Sequence, residues 1–490
     1  MIPKVVNKST SKRWEHQAKE FQIGRAKRSR AYIWPMRSGK SRACIDTGCY
    51  QHRHMGVEGV IIIAPNGVHL NWAYREVPTW GWLDIQHRTF PWETTKRGFP
   101  EKEREWESFI AHRGLKWFCI NMEALARDDC KRAINRFIAS CHGNFGLIVS
   151  EAHHFGRPGA KRTYKARSLS YHATFVRTET GTPILTGPLR AFSQYELLAP
   201  GALGFRAFKP FEAHFADMVP MGAPGMRTRK KVEKYKNLDE LTAKIAKWSS
   251  LVLRGDLKDM PDLIQTERPV VMSDEQRKAY IQMVAVHLAE VEDGEVAAKD
   301  AGPRMMKLQQ ILMGYIMDTQ AKRILTIDED APIYDALLEQ IRGTLPGKAL
   351  VWCRYKEDCR RLAAKLKRHK MASLAYWGDF STTEREKNRA MFLDPLDDRT
   401  MIGTPDCGGE GLDFSTGDAV IFGSIPPNAR MVAQAQERAT IKGGKSVAVV
   451  RMRSYGTVDD RMWDIVDGNT SLADTVTGTG LRKLLMATDV

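Results

Sequence analysis

Short apolar runs rich in β-branched and aromatic residues punctuate the N-terminal part of the chain, at Ala31 to Trp34, Val60 to Pro65, Lys116 to Asn121, Phe145 to Ser150 and Thr174 to Thr180. The stretches between them are longer and carry apolar residues at helical spacing. Strands alternating with helices predict a parallel sheet covered on both faces. A second set of runs follows at Lys348 to Cys353, Met371 to Trp377, Arg399 to Thr404, Asp418 to Gly423 and Ser446 to Met452. The expected architecture is therefore two α/β lobes. Residues 205–335 read differently, with helical spacing, a Gly/Pro-rich "VPMGAPGM" and the basic run Arg227 to Lys236. They are expected to form a helical insertion and linker, which divides the chain into 1–204, 205–335 and 336–490. No internal repeat is evident.

Composition narrows the function classes. A chain of 490 residues is too long for one ordinary core. Its net charge of +17 attracts a polyanion by counterion release and long-range steering, and nucleic acid is the natural candidate. There is no apolar run of about 18 residues, and the start "MIPKVVNKSTSKRW" lacks the apolar core of a secretory signal. The eight cysteines form no CxxC pair and no matched Cys/His spacing, so they read as reduced, buried thiols in a cytoplasmic compartment.

The candidate chemistry begins where "AYIWP" runs into "MRSGKS" and then into the helix-compatible "SRACIDTGCYQ". That order suits a phosphate loop: backbone N–H groups at a helix N-terminus cradle phosphates, Lys40 reaches the outer ones, and the Ser41 hydroxyl ligates magnesium. The full pattern GxxxxGK[ST] would place glycine at position 34, where the chain has Trp34. Downstream, "FGLIV" ends in "SEAHHF", which puts Glu151 at a strand's C-terminal end, the edge where open parallel sheets bind ligands. Upstream, "KRWEHQ" places Gln17 shortly before the first strand, where an amide can read an adenine edge. "TETGTP" closes the first lobe, and the second carries "GGEGLDF" and "QAQERATIKG".

In this order the motifs resemble the Swi/Snf-type ATPases of helicase superfamily two, which have two RecA-like lobes and translocate on double-stranded DNA. The resemblance covers nearly the whole chain. "IIIAPNGVHLNWAYREVPTW", "TGTPILTGPLRAFSQYELLAPGALG", "NLDELTAKIAKWSSLVLRGDLKDMP", "LVWCRYKEDCRRLAAKL" and "YGTVDDRMWDIV" carry it between the shorter motifs. It implies an ATP hydrolase that uses ATP and magnesium and tracks a DNA backbone with little sequence preference. It implies further that Arg37, Ser38, Gly39, Lys40 and Ser41 hold phosphates and magnesium, and that Gln17 recognises adenine. Glu151 would activate water, with Ser150 and Glu151 on the metal side. Arg438 would stabilise charge on the transferring phosphoryl group. Thr180, Gly181 and Thr182, with Gly411, Asp413 and Gln434, sit in motifs that link nucleotide to DNA.

Three positions depart from the family pattern. Ser150 stands where the family has an aspartate beside magnesium, Arg37 where it usually has glycine, and Ile441 where its last motif carries a second arginine. Ser150 is expected to hold a metal-bound water, and Lys442 to replace part of the missing arginine as a point charge. The rival readings are a nucleotide-gated DNA-binding protein with little hydrolysis, a strand-separating helicase, and an RNA-directed ATPase. Expected location is the cytoplasm of a bacterium or of a phage-infected host. His153 and His154 read as polar couplers at the lobe interface rather than metal ligands. Trp34 and Trp14 either stack on adenine or pack in the core, and core packing is the expectation for Trp34. The basic stretch Lys356 to Lys370 either faces phosphate or is the solvated side of an amphipathic helix.

Overall fold

The structure is a computed structural model that describes residues 6–92, 100–181, 184, 187–221, 229–257, 260–292, 301–318, 323–407, 414–426, 429–440 and 444–477. Thr182, Gly411, Asp413, Ile441 and Lys442 lie outside the described residues.

The chain divides into two compact units. The first is built on strands β1 (Ser29–Ile33), β2 (Gly59–Ala64), β3 (His87–Trp92), β4 (Leu115–Asn121), β5 (Phe145–Ser150) and β6 (Phe175–Thr180). A two-stranded pair follows, β7 (Ala216–Met221) and β8 (Arg229–Tyr235), and then β9 (Ser249–Leu251) completes the first sheet. The order is β3-β4-β2-β5-β6-β1-β9, with every pairing parallel. β1, β2, β4, β5 and β6 are buried at every position, which requires cover on both faces and explains their unbroken apolar runs. Since β5, β6 and β1 are adjacent, the C-terminal ends of these three strands lie side by side at one edge.

The second unit contains β10 (Leu263–Pro269), an antiparallel pair β11 (Tyr315–Asp318) and β12 (Arg323–Thr326), then β13 (Ala349–Trp352), β14 (Ser373–Tyr376), β15 (Thr400–Gly403), β16 (Ala419–Phe422) and β17 (Val447–Arg453). Its parallel sheet runs β10-β17-β16-β13-β15-β14. Leu337, Ile341, Val351, Leu362, Leu366, Ile402 and Ile421 form its core.

Residues 205–335 contribute to both sheets. They hold the helices Phe208–Phe215, Leu238–Ala246, Asp274–Glu292 and Ala301–Leu312, but also β9, which pairs with β1, and β10, which pairs with β17. Most of the basic run, read with a helical stretch, is the strand β8. The basic stretch after β13 is a helix, Lys356–Arg368, whose charges are engaged within its own lobe. Arg360 pairs with Asp379 at 2.6 Å, Arg361 with Glu357 at 3.0 Å and Lys365 with Asp335 at 2.8 Å, so an ion-paired surface describes it better than a row of cations awaiting phosphate. The eight cysteines are free thiols, all buried except Cys407. Among the described residues, no helix is long and apolar enough to cross a membrane.

Candidate nucleotide-binding site

β1 delivers the chain into a loop whose last residue, Gly39, caps α2, the helix Lys40–Met55, in the left-handed region at φ +81°. The left-handed φ favours glycine here, and a Cβ at Gly39 would lie 2.0 Å from Gln17 Nε2, so a larger residue would also displace the Gln17 amide from its place beside the loop. Arg37 is left-handed as well, at φ +60°. The loop therefore turns its backbone at the N-terminus of α2, where unpaired N–H groups and the helix dipole favour an anion. Buried Lys40 folds back over the loop and donates to the carbonyl oxygens of Trp34 at 3.1 Å and Pro35 at 2.9 Å. Ser38, fully buried, donates to Pro35 O at 2.7 Å. Trp34 is a core residue: its ring stacks on Tyr32 with centroids 5.0 Å apart, and its Nε1 donates to Ser250 Oγ. Trp14 lies edge-on to His16 at the loop's margin.

The helix α1 (Glu15–Gly24) is fixed by two ion pairs, Arg13 to Asp46 of α2 at 2.7 Å and Arg30 of β1 to Glu20 at 3.0 Å. These place Gln17 beside the loop, where its Nε2 donates to Ser38 O at 3.1 Å while its Oε1 accepts from Trp14 N–H at 3.1 Å. His16 Nε2 lies 2.8 Å from the same Ser38 carbonyl. Candidate adenine reader and phosphate loop are thus directly joined.

At the neighbouring strand ends, Ser150 and Glu179 are paired in register across β5 and β6. Ser150 Oγ donates to Glu179 Oε1 at 2.7 Å, and both side chains are buried. The Glu179 Oε2 atom is buried and has no hydrogen-bond partner among the described residues. Burial pushes this carboxyl up to about 7, against the opposing pull of the Lys40 charge and the Ser150 bond, with Glu151 and Glu76 raising it further. Glu76, in the helical turns after β2, accepts from Asn71 Nδ2 at 3.1 Å, and burial raises its carboxyl too. Glu151 breaks out of β5 in the left-handed region at φ +52°, a conformation an L-residue adopts at a cost and one that commonly marks a functional position. Its Oε2 lies 3.2 Å from His153 Nδ1, which also sits 2.8 Å from Thr180 Oγ1. His153 therefore couples the ends of β5 and β6 inside the first lobe. A Cβ on Gly181 would stand 3.4 Å from Trp34 O, so the segment after β6 runs against the phosphate loop's backbone.

The sheet edge thus brings together Gln17, Ser38, Gly39, Lys40, Ser41, Ser150, Glu151, Thr180 and Gly181. In the second lobe, Gln434 is buried on the helix Ala429–Gln436, and Arg438 is buried in the following turn with its guanidinium 5.5 Å from the Trp352 ring centre. Sequence reading missed Glu76 and Glu179, although both stand in quoted segments. For Glu179 the available signal was an acid inside an otherwise buried strand, beside a motif that lacks its acid. Magnesium prefers hard oxygen donors and keeps several waters. Hydroxyls at Ser41 and Ser150, carboxylates at Glu151 and Glu179, and the orphaned Glu179 Oε2 suit such an ion.

The Helicase conserved C-terminal domain matches residues 333–441. The chain is 23% identical to an uncharacterized ATP-dependent helicase, MG018, of Mycoplasma genitalium over 65% of its own length and 29% of the relative's. It is 22% identical to TATA-binding protein-associated factor mot1 of Schizosaccharomyces pombe over 71% of this chain and 20% of that protein. Identity reaches 25% with the SWI/SNF-related matrix-associated actin-dependent regulator of chromatin subfamily A-like protein 1 homolog of Caenorhabditis elegans, over 65% of this chain and 44% of that one. This chain therefore spans less than half the length of each of these relatives. Against the solved Sulfolobus solfataricus SWI2/SNF2 ATPase core in complex with dsDNA, the TM-score is 0.41 at 16% identity, covering 100% of this chain and 98% of that one. The matched helicase domain lies in the second lobe and these relatives run along most of the chain, so the chain is similar to the Swi/Snf-type ATPases of helicase superfamily two.

Proposed function

We propose that the protein hydrolyses ATP and couples the reaction to movement along duplex DNA without reading its sequence. The observation that carries this reading is the meeting of the phosphate loop, Lys40 and Glu151 at one edge of adjacent parallel strands. Lys40 exchanges its two loop carbonyls for phosphate oxygens when ATP arrives, and the α2 N-terminus receives their charge. Gln17 gives up its bond to Ser38 to meet the adenine edge. Glu151, oriented by His153, takes the proton of the attacking water. Ser41, Ser150 and Glu151 hold magnesium, which when bound neutralises charge on the phosphates. The net charge of +17 supports a nucleic-acid track, bound through backbone phosphates.

Steady-state ATP hydrolysis, measured alone and with duplex DNA, single-stranded DNA or RNA, tests this. The expected result is duplex-stimulated turnover that falls by about 100-fold or more in both Lys40→Ala and Glu151→Gln. One observation, Ser150 in place of an acid, favours a second reading as a nucleotide-gated DNA binder. No turnover, with ATP still changing DNA affinity, would select that reading and reject the motor.

A further inference from the structure

Position 150 holds a hydroxyl where the resemblance implies a carboxylate, yet the sheet edge does not lack an acid there. β6 lies between β5 and β1, and Glu179 is the register partner of Ser150 on one side and of Tyr32 on the other. Side chains at paired positions of neighbouring parallel strands share a face, roughly 5 Å apart. Glu179 thus stands between the strand that enters the phosphate loop and the strand that ends in Ser150 and Glu151.

Two features set it apart from a packing residue. One carboxylate oxygen, Oε2, is buried without a partner among the described residues, in a residue only 4% exposed, and a native fold seldom leaves such an oxygen unpaired unless a ligand supplies the contact. The other oxygen accepts the hydrogen bond of the Ser150 hydroxyl at 2.7 Å, and among the described residues no donor fills the lone pairs of Ser150 Oγ. Those lone pairs are held ready for a cation or a water bound to it.

We propose that Glu179 is the acid on the metal side of this site, a positioning residue that acts through Ser150. Its charge replaces the carboxylate missing from position 150, and by accepting the Ser150 hydrogen bond it fixes that hydroxyl as an oxygen donor toward a divalent cation. The inference rests on the ATP-site reading above.

The test measures Mn²⁺ affinity of the full chain's ADP complex by electron paramagnetic resonance, alongside affinity for a fluorescent ADP in EDTA. Outer carboxylate partners of a metal site are worth about 10- to 100-fold in metal affinity. Glu179→Gln, which keeps an acceptor for Ser150, and Ser150→Ala should each lose about that factor in Mn²⁺ affinity while binding in EDTA stays unchanged. The double variant Ser150→Asp with Glu179→Gln should recover it, a result that a merely structural role for Glu179 does not give. Wild-type Mn²⁺ affinity in Glu179→Gln, or failure of the double variant to recover, would overturn this assignment alone. A wild-type protein that binds no nucleotide, with or without metal, would overturn the ATP-site reading and this inference with it.

Discussion

Each lobe buries a carboxylate that accepts from a serine, and the two differ in how completely they are satisfied. In the second lobe, Asp358 is fully buried and takes three hydrogen bonds, from Tyr315 Oη at 2.7 Å, Ser424 Oγ at 2.7 Å and Tyr355 N–H at 3.2 Å. Its serine both donates and accepts, since Ser424 Oγ also accepts from Arg354 N–H at 2.7 Å. In the first lobe, Glu179 has Ser150 alone among the described residues, and one of its oxygens has no partner among them. A polar network that closes on itself specifies a fold, whereas one left open at a sheet edge has room for a visitor. Asp358 therefore reads as a structural joint between the helix Lys356–Arg368, β11 and the turn after β16.

The largest effect that would test this contrast is Asp358→Ala. It strands three buried donors and should lower the stability of the second lobe by about 4 kcal/mol, given roughly 1–3 kcal/mol for each group left unsatisfied. Faster hydrogen exchange across β13 and the helix Lys356–Arg368 would report it. Unchanged protection there would show that Asp358 is no joint.

Next in size is a pH effect. Burial pushes the Asp358 carboxyl up to about 6, above its ordinary value, despite the opposing bonds from Ser424, Tyr315 and Tyr355. The folded state then holds a proton that the unfolded state has released, so the Asp358 contribution is complete below about pH 4 and is lost as pH rises through about 6. Asp358→Asn should remove a decline of about 2–3 kcal/mol in that window. Denaturant unfolding at pH 4.5 and 7, in wild type and variant, makes the comparison; parallel pH profiles would reject it.

The smallest effect is expected at Glu179→Gln, which removes a buried charge but keeps an acceptor for Ser150. Stability should stay within about 1–2 kcal/mol of wild type, because the relief from removing a buried charge offsets the amide N–H donors that take the place of the unpartnered Oε2. Destabilisation matching that of Asp358→Ala would erase the difference between the two acids.

Most of the fold was legible in the sequence, and the omissions have a common cause. The runs that announced themselves became β1, β2, β4, β5, β6 and β13 to β17, nearly all of them interior strands with continuous apolar character. The sheet strands that were missed, β3, β9 and β10, are all edges. β3 contains a proline and is only half-buried, β9 has three residues, and β10 is largely exposed, so none needs the apolar run that betrays a buried strand. The placement of β9 and β10 also explains why residues 205–335 looked like a separate helical body. At the site, Gly39, Lys40 and Glu151 were readable because loop and strand end lie in short contiguous stretches. Glu179 was not, since its meaning depends on Ser150, 29 residues earlier in the chain.

The parallel ladder between β5 and β6 also bears on how such a site changes over time. Residues 29 positions apart stand shoulder to shoulder in it, so one substitution on each strand can carry a negative charge sideways by about one strand spacing, roughly 5 Å, and leave the field at the loop nearly as it was. Read along the chain, that exchange looks like the loss of a motif and an unrelated acid elsewhere. Read across the sheet, it is a single move, which gives a lineage a short route out of a signature sequence without an inactive intermediate whenever the second acid arrives before the first departs.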